Sequence, residues 1–472
     1  MKGEYLSRAI DGQLAEWKKE PDRKPLLLRG ARQVGKSSTV KEFGKQFDYF
    51  FEINFEKKDS KDAKAIFEKT SSPKQICEEL SVIYDIPVIP GRTLMFLDEI
   101  QACIPAISSL RFFYEEYPEL HVIAAGSLLE FALQEISSYG VGRVRSMFLY
   151  PFSYVEFLRA MQLNLLAEAL QKSSPEKPFS DEIHNKCMQQ LLRFILIGGM
   201  PKVVATYSHG GSLYQCQQVL DDLTLSLYDD FSKYRERVPT SRLREVFSSI
   251  IRQTGGKFTY SNASQVSSYA QIKESVELLE LAGIVYPVTH TSANGLPLAA
   301  EMNIKHRKYL IFDTGLYQRF LKLDLGLLFH AENLEQVNKG ALAELFTGLE
   351  LLKSAPCTNP VQLYYWQREK PGSSAEVDYV VQRNRDIVPL EVKSGTKGSM
   401  QSMFQFLSEK NYAYGIRCSM ENFGAYQHVK IYPLYGVSRI FDIKTTTLAS
   451  DCGMDNDRIE EVLNMHLRTP YK

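Results

Sequence analysis

An excess of charge of either sign is missing from this sequence. The 472 residues include 56 Lys plus Arg and 56 Asp plus Glu, so the formal net charge is zero. A protein that coats nucleic acid by bulk electrostatics needs a marked positive charge. The composition therefore argues against that class of protein, although it leaves room for a local basic patch.

Paired cysteines are missing as well. The seven cysteines are scattered, include no C-x-x-C pair and are odd in number. Free thiols in a reducing compartment show this pattern, whereas a disulfide framework or a structural zinc site needs paired cysteines. We therefore expect neither of those devices.

Long apolar runs are the third absence. Residues 1–22 are polar and amphipathic, unlike a secretory signal. The most apolar stretch, residues 191–205, is interrupted by Arg193, Pro201 and Lys202 and is too short to span a bilayer. We expect a cytoplasmic protein with no membrane partner.

The chain does contain the alternation of strands and helices that is typical of an α/β protein. Its length favours two to four domains. Apolar runs that read as strands are separated by amphipathic stretches that read as helices, which predicts a parallel sheet covered by helices. The predicted strands are residues 25–29, 49–55, 93–98 and 121–125, and the predicted helices are 36–47, 70–84 and 106–117.

The remaining two thirds change character twice. Residues 154–170 and 181–197 are first predicted as helices. Two short helices around a turn then lead into a strand within residues 261–288, which suggests a winged helix. A second mixture of strands and helices follows. The predicted domains are residues 1–150 (a nucleotide-binding core), 151–235 (a helical lid region), 236–304 (a winged helix-turn-helix) and 305–472 (a C-terminal α/β domain).

The strongest motif is a phosphate-binding loop. Residues 30–37 match G-x-x-x-x-G-K-[ST], with an apolar strand before the motif and a helix after it. Lys36 is expected to reach the β- and γ-phosphates of ATP, and the Ser37 hydroxyl to ligate Mg²⁺. The predicted nucleotide contacts are Gly30, Ala31, Arg32, Gln33, Val34, Gly35, Lys36, Ser37 and Ser38.

Acidic residues follow a later apolar strand, as a Mg²⁺-ATP site requires. Asp98 is predicted to hold Mg²⁺ and Glu99 to orient or deprotonate the attacking water. Ser127, just past the next strand, is a candidate sensor of the γ-phosphate, although it is equally expected to cap a helix. Arg143 or Arg145 is either an arginine finger, from this chain or a neighbour, or an ordinary ion-paired arginine.

A second set of charges lies in the last third. Asp378, Glu391 and Lys393 form the pattern D-x(n)-E-x-K, and each alternates with apolar residues in a predicted strand. Glu344 lies upstream on a predicted helix. Asp378 and Glu391 are the predicted metal ligands, and the lysine would activate water for phosphodiester hydrolysis. The alternative is an ion-paired sheet edge, and Glu376 is a rival ligand.

Several stretches of the chain resemble one family. The sequence is similar to AAA-type, archaeal-ATPase-like P-loop proteins that carry a C-terminal domain of unknown function, DUF4143. The resemblance covers about the first 400 residues. The stretches that carry it are residues 23–37, 51–56, 97–101, 114–131, 198–201 and 312–316.

The resemblance implies an AAA-like core, a winged helix-turn-helix and a C-terminal fold of the PD-(D/E)XK nuclease type. The family pattern falls on Asp378, Glu391 and Lys393, and Glu344 matches its helical acid. We therefore expect a Mg²⁺-dependent ATPase coupled to a nuclease-like module, with DNA as the expected target. The candidate basic residues for DNA contact, which solvated faces explain equally well, are Arg235, Arg237, Arg242, Arg244 and residues 305–308. A nuclease regulated by ATP, an ATP-gated switch for a protein partner, and assembly into a homo-oligomer stay open.

Overall fold

The computed structural model describes residues 5–135, 142–325, 339–369, 375–396 and 398–441. The first part of this chain forms a five-stranded sheet in which every neighbouring pair is parallel, in the order β2-β3-β4-β1-β5. The strands are β1 (Leu26–Arg29), β2 (Tyr49–Asn54), β3 (Thr93–Asp98), β4 (His121–Ala125) and β5 (Arg145–Phe148). The predicted strand–helix alternation is confirmed.

Helices cover both faces of this sheet. Alternate residues of β1 show why, because Leu26 and Leu28 belong to one apolar cluster and Leu27 to another. A parallel strand with both faces buried needs such a continuous apolar run. The helices of this part are α1 (Ala9–Lys19), α2 (Lys36–Gly44), α3 (Lys61–Lys69), α4 (Pro73–Tyr84), α5 (Ile104–Glu116) and α6 (Leu129–Glu135).

A helical region follows the sheet. A single helix over residues 154–170 was the wrong prediction, because the chain breaks at Met161 and Gln162 and the latter has a positive φ of 59°. Two helices result where the period suggested one. The helices of this region are α7 (Tyr154–Ala160), α8 (Asn164–Lys172), α9 (Asp181–Ile197), α10 (Pro201–Ser208), α11 (Leu213–Asp230), α12 (Thr240–Gln253) and α13 (Tyr269–Leu281).

The rest of the described chain builds a mixed eight-stranded sheet in the order β12-β13-β11-β10-β9-β8-β6-β7. Its strands are β6 (Val285–Thr291), β7 (Met302–Ile311), β8 (Leu363–Gln367), β9 (Glu376–Arg383), β10 (Asp386–Val392), β11 (Gly415–Ser419), β12 (Gly424–Tyr426) and β13 (Val429–Pro433). The accompanying helices are α14 (Thr314–Phe320), α15 (Lys339–Lys353) and α16 (Gln401–Lys410).

The strands β6 and β7 bear on the predicted domain limits. The limit between residues 304 and 305 falls inside β7, and β6 pairs in parallel with β8. The hairpin after α13 therefore belongs to the C-terminal sheet. The limits themselves stay predictions, and the end of the fourth predicted domain, residues 442–472, lies outside the described residues.

One apolar cluster extends across the parts of the molecule. It includes Leu28 from the parallel sheet, Phe247 from the helical region and Leu390 from the C-terminal sheet. Such continuous burial fixes the two sheets relative to each other. Among the described helices, none has both the length and the apolar character needed to cross a bilayer.

Candidate functional site

The phosphate-binding loop lies between β1 and α2. Two of its glycines adopt positive φ, 142° at Gly30 and 102° at Gly35. A Cβ on Gly30 would lie 2.1 Å from the Leu149 carbonyl oxygen, so this position has no room for a side chain. Gly35 precedes the first residue of α2 and offers no side-chain cap, so the helix N-terminus presents backbone N–H groups to an anion. This cradle fits the phosphates of a nucleotide.

Lys36 is folded back into this loop. Its side chain is buried, and Nζ donates to the carbonyl oxygens of Gly30 at 2.8 Å and Ala31 at 2.9 Å. Burial lowers its pKa to about 8, although Glu99 and Asp98 act in the opposite direction. The ammonium group is thus held beside the loop by neutral acceptors that a phosphate can replace.

Asp98, at the end of β3, meets the first turn of α2. The Ser37 hydroxyl donates to both of its carboxylate oxygens, at 3.2 and 3.0 Å. Asn54 Nδ2 donates to Oδ2 at 3.2 Å from the end of β2, where Asn54 and Asp98 are register partners. Burial raises the pKa of Asp98. A serine hydroxyl and a carboxylate are the donors that a P-loop site uses for Mg²⁺, so these residues fit that ion.

Glu99 adopts an unusual backbone conformation, with a positive φ of 49°. Its Oε2 accepts hydrogen bonds from Gln101 Nε2 at 2.7 Å and from both the backbone N–H and the hydroxyl of Ser127, each at 3.2 Å. Burial raises the pKa of Glu99, but these donors and Lys36 outweigh it and the net pKa is lowered. Glu99 is therefore an ionised carboxylate that is held in place at the carboxyl end of the sheet.

Ser127 thus donates hydrogen bonds to Glu99, a contact that the sequence did not indicate. Asn54 and Gln101 are further members of the site that sequence reasoning missed. A signal for Asn54 was present, because it ends the strand beside β3 and the carboxyl ends of parallel strands meet at one edge. Gln101 lies two residues beyond Glu99, and its role depends on the backbone turn there.

The outer residues of the loop contact the helical region instead. Arg32 pairs with Asp230 at 2.6 Å, and Gln33 Nε2 donates to Ser226 Oγ at 3.1 Å, so both bind α11. Ala31 and Val34 are buried, whereas the Ser38 side chain is exposed. The nucleotide contacts predicted for these five residues stay predictions. Their backbone N–H groups would make those contacts.

The two candidate arginine fingers are both engaged within this chain. Arg143 pairs with Glu115, and Arg145 pairs with Glu20. Arg145 is also the register partner of Leu26, at the start of β1, whereas the phosphate-binding loop follows the end of that strand. Arg145 therefore lies at the amino ends of the strands, whereas Lys36 lies at their carboxyl ends. Within this chain Arg145 is an ion-paired arginine.

The acids predicted in the C-terminal sheet converge. Asp378 on β9 accepts a hydrogen bond from the Val392 N–H at 2.7 Å. Leu390 and Tyr379 are register partners, and Glu391 and Asp378 are the next residues beyond that pair on β10 and β9. Lys393 Nζ contacts Glu391 Oε1 at 2.7 Å. Burial raises the pKa of Glu391 to about 6, with a further contribution from Asp378. Glu344 reaches the same cluster from α15.

Lys308 of β7 is a member of this cluster that sequence reasoning missed. Its side chain is 1% exposed, and Nζ lies 2.9 Å from Glu344 Oε1 and 2.5 Å from Glu376 Oε1. Burial alone would lower the pKa of Lys308, but Glu344, Glu376 and Asp378 outweigh it and raise it. These acids therefore favour the charged form of Lys308 inside the cluster.

The cluster as arranged does not fit a divalent metal ion. In the parts of the chain that the structure describes, no three His, Cys, Asp or Glu side chains are grouped so that they could hold a metal together. Lys308 instead bridges Glu344 and Glu376. The metal-ligand roles of Asp378 and Glu391 therefore stay predictions.

Most of the basic residues considered for DNA contact have partners in the chain. Arg242 pairs with Glu274 at 3.0 Å and Arg307 pairs with Glu280 at 3.1 Å. Arg244 donates to the Tyr228 carbonyl oxygen at 3.2 Å, and Lys308 is buried. The basic run at residues 305–308 is thus divided by the strand, with Lys305 exposed and Lys308 inside.

Three protein-family descriptions match consecutive parts of the chain. Residues 22–158 match an AAA domain, residues 188–326 match a domain of unknown function (DUF8612), and residues 339–437 match another domain of unknown function (DUF4143). The first and last matches are those that the sequence resemblance predicted. The middle match spans the predicted limits at residues 235 and 304. A search of curated proteins found no match.

Solved structures resemble the chain distantly. A Walker-type ATPase of Pyrococcus abyssi is 15% identical, with 67% of this chain and 96% of that chain covered and a TM-score of 0.43. The Aeropyrum pernix ORC1 protein in complex with DNA is 12% identical, with coverages of 66% and 90% and a TM-score of 0.29. The Hsp104–ADP complex of S. cerevisiae is 12% identical, with coverages of 58% and 39% and a TM-score of 0.25.

Proposed function

We propose that this chain, which joins an N-terminal AAA domain to a C-terminal DUF4143 domain, hydrolyses ATP and couples hydrolysis to a nuclease-like module directed at DNA. The observation that carries the proposal is the convergence of Lys36, Ser37, Asp98 and Glu99 at one edge of the parallel sheet. An AAA fold supports ATP binding and hydrolysis, and these side chains supply the required chemistry.

Each side chain has one task in the proposed reaction. Lys36 exchanges its two carbonyl acceptors for phosphate oxygens, and the N–H groups at the start of α2 bind the same anion. Ser37 and Asp98 would hold Mg²⁺, which supplies neutralisation of phosphate charge when bound. Glu99 accepts a proton from water as the water oxygen bonds to the γ-phosphorus, and ADP leaves with the electrons of the broken P–O bond.

Substitution at the loop tests the ATPase assignment. We expect Lys36→Ala to lose both ATP affinity and turnover. Glu99→Gln should retain affinity but turn over ATP about 10²–10⁴-fold more slowly, because an amide accepts no proton. Glu78→Gln, at an exposed position on α4, is the matched control. Normal turnover by both Lys36→Ala and Glu99→Gln would contradict the assignment.

The proposed DNA target is supported by two features of the second half of the chain. The helices α12 and α13 lead into the β6–β7 hairpin, an order that a winged helix also has. The residues that match the nuclease pattern, Asp378, Glu391 and Lys393, adjoin one another on β9 and β10. We expect DNA to stimulate ATP turnover, measured with single-stranded, linear and supercoiled DNA. If cleavage occurs with Mg²⁺ or Mn²⁺, Asp378→Asn should abolish it.

A second function is favoured by Lys308. An acid cluster in which an internal lysine already pairs with two of the acids suits an ATP-gated switch that binds a protein partner without cleaving nucleic acid. The two functions differ in measurable ways. Tight ATP binding with negligible turnover, no stimulation by DNA and no cleavage of any DNA form would favour the switch. Self-association with ATP, measured by sedimentation, would add further copies of this chain as partners.

A further inference from the structure

The side chain of Lys308 enters the C-terminal acid cluster from β7. It is 1% exposed and bridges Glu344 Oε1 and Glu376 Oε1, at 2.9 and 2.5 Å. These acids come from different elements, α15 and β9. A buried ammonium group is stable only when acceptors compensate for its lost hydration, and two carboxylates do so here.

The cluster contains more acid than base. Glu344, Glu376 and Asp378 act on Lys308. Glu391 lies near the end of the neighbouring strand β10 and contacts Lys393, which follows that strand. Four carboxyl groups are therefore accompanied by two lysine amino groups, and burial raises the pKa of Glu344 to about 8 although Lys308 acts in the opposite direction. Carboxylate oxygens of this kind are the ligands that Mg²⁺ and Ca²⁺ take in proteins. In this chain the position between Glu344 and Glu376 is taken by Lys308.

A separate observation concerns an unpartnered oxygen of Glu391, another acid of the cluster. Glu391 is 6% exposed, and its Oε1 contacts Lys393. Its second oxygen, Oε2, is buried and has no hydrogen-bond partner in the described structure. Glu391 and Asp378 adjoin the register partners Leu390 and Tyr379, so they share the opposite face of the sheet. A buried carboxylate oxygen without a donor lacks the compensation that buried polar groups usually have, and a bound cation would supply it.

We propose that Lys308 is an internal counter-ion that excludes divalent cations from this cluster, so that Asp378 and Glu391 bind Mg²⁺ or Mn²⁺ only when the Lys308 ammonium is withdrawn or removed. The inference rests on the proposed function, since it concerns the nuclease-like site of that proposal. It explains why the chain has the acids of a nuclease pattern although a lysine side chain lies among them.

Binding of Mn²⁺ to the full chain tests the inference without nucleotide or DNA. Free Mn²⁺ is followed by its electron paramagnetic resonance signal as protein is added. We expect Lys308→Met to bind one more Mn²⁺ than the wild-type chain, or to bind it at least about tenfold more tightly. Lys308→Arg, which keeps the charge, should behave like the wild type. Lys308→Met/Asp378→Asn should lose the added binding.

Folding of the variants is checked by thermal unfolding with and without Mn²⁺. Mn²⁺ should raise the melting temperature of Lys308→Met by more than it raises that of the wild type. If the single variant does not fold, Lys308→Met/Glu344→Gln removes one charge of each sign and retains Asp378 and Glu391, and it should bind Mn²⁺ in the same assay. Absence of added Mn²⁺ binding in the folded variant would overturn the inference, and so would equally tight binding by the wild type.

The result is separable from the ATPase proposal. Turnover of ATP is measured on the same Lys308→Met protein and should be unchanged in the absence of DNA. Loss of the Mn²⁺ effect with normal turnover would overturn the role of Lys308 alone. Added Mn²⁺ binding in a chain that hydrolyses no ATP would support Lys308 and contradict the ATPase assignment.

Discussion

The charge on Lys36 depends on pH within the range where enzymes are assayed. Burial lowers its pKa from 10.5 to about 8, so the folded chain without nucleotide loses this proton while the unfolded chain still holds it. Burial of the charged form of Lys36 therefore lowers the free energy of unfolding below pH 8. This cost is relieved as pH rises from 8 towards 10.5, so the free energy of unfolding increases in that window.

Nucleotide affinity should respond in the opposite direction. A phosphate requires the charged form of Lys36, so we expect the Kd for ATP to rise by up to about tenfold per pH unit above pH 8. Fluorescence titration with a labelled nucleotide between pH 6.5 and 9.5 measures this change. Lys36→Arg is the matched variant, because arginine keeps its charge, and its Kd should vary less. The same steep rise in Lys36→Arg would assign the effect to another group.

Single residues of the two sites differed in how well the sequence predicted them. Lys36, Ser37, Asp98 and Glu99 follow from a motif whose spacing along the chain fixes their positions in space. Lys308 belongs to no such motif, because it lies in a run of basic residues that is typical of an exposed surface. Its burial depends on acids that are contributed by α15 and β9, farther along the chain.

Among the elements, the turn between α13 and β6 connects the helical region to the phosphate-binding loop. Gly283 lies in this turn with a φ of 68°, and a Cβ there would approach Ala31 N to 3.3 Å. The turn therefore packs directly on the loop. A residue with a side chain at this position would both strain its own backbone and press on the loop.

Gly283→Ala should affect stability and nucleotide binding together. The left-handed conformation costs alanine about 1–2 kcal/mol, and the contact with Ala31 should weaken ATP binding in addition. Gly91→Ala is a close control, because Gly91 has a similar φ of 75° but nothing within 4 Å of its Cβ. We expect both variants to lower the melting temperature and only Gly283→Ala to raise the Kd for ATP. Equal Kd values in the two variants would show that the turn does not act on the loop.

The prediction of elements succeeded where periodicity was local and uninterrupted. β3 was placed at its observed limits, and the helix ending at Tyr84 was predicted only three residues too long at its start. The break at Gln162 was missed because a single residue with positive φ leaves the apolar period nearly unchanged. The membership of β6 and β7 in the C-terminal sheet was missed because pairing with β8 joins residues that are far apart in sequence.

At the scale of the whole molecule, β7 connects the two candidate sites. Lys308 lies on this strand, and the strand ends at Ile311, one residue before Phe312. Phe312 and Ile284 line a small cavity together with Ala31 and Arg32 of the phosphate-binding loop. The Phe312 N–H donates to the Ile284 carbonyl oxygen at 3.1 Å, which fixes the end of β7 to the start of β6. A change at the loop therefore has a short packed route to Lys308.

Two further contacts fix the far end of this route. Asp313 Oδ1 accepts a hydrogen bond from the Leu316 N–H at 3.0 Å and so caps α14, while its Oδ2 accepts from the Gly199 N–H at 2.6 Å. Gly199 precedes α10, beside the helical region that also contacts Arg32 through α11. Residues 308–313 thus join the acid cluster, the loop cavity and the helical region within six positions of the chain.

Hydrogen exchange tests whether these contacts transmit the nucleotide state from the phosphate-binding loop to β7. β7 is the edge strand of its sheet, so its backbone amides should exchange fast enough to report small changes in packing. We expect ATP to slow exchange in peptides that cover residues 302–313 of the wild-type chain, and to leave β12 and β13 at the far edge unchanged. Lys36→Ala should show no ATP effect in either region. A response to ATP confined to residues 22–158 would mean that β7 does not transmit the nucleotide state, and the acid cluster would then answer to some signal other than ATP.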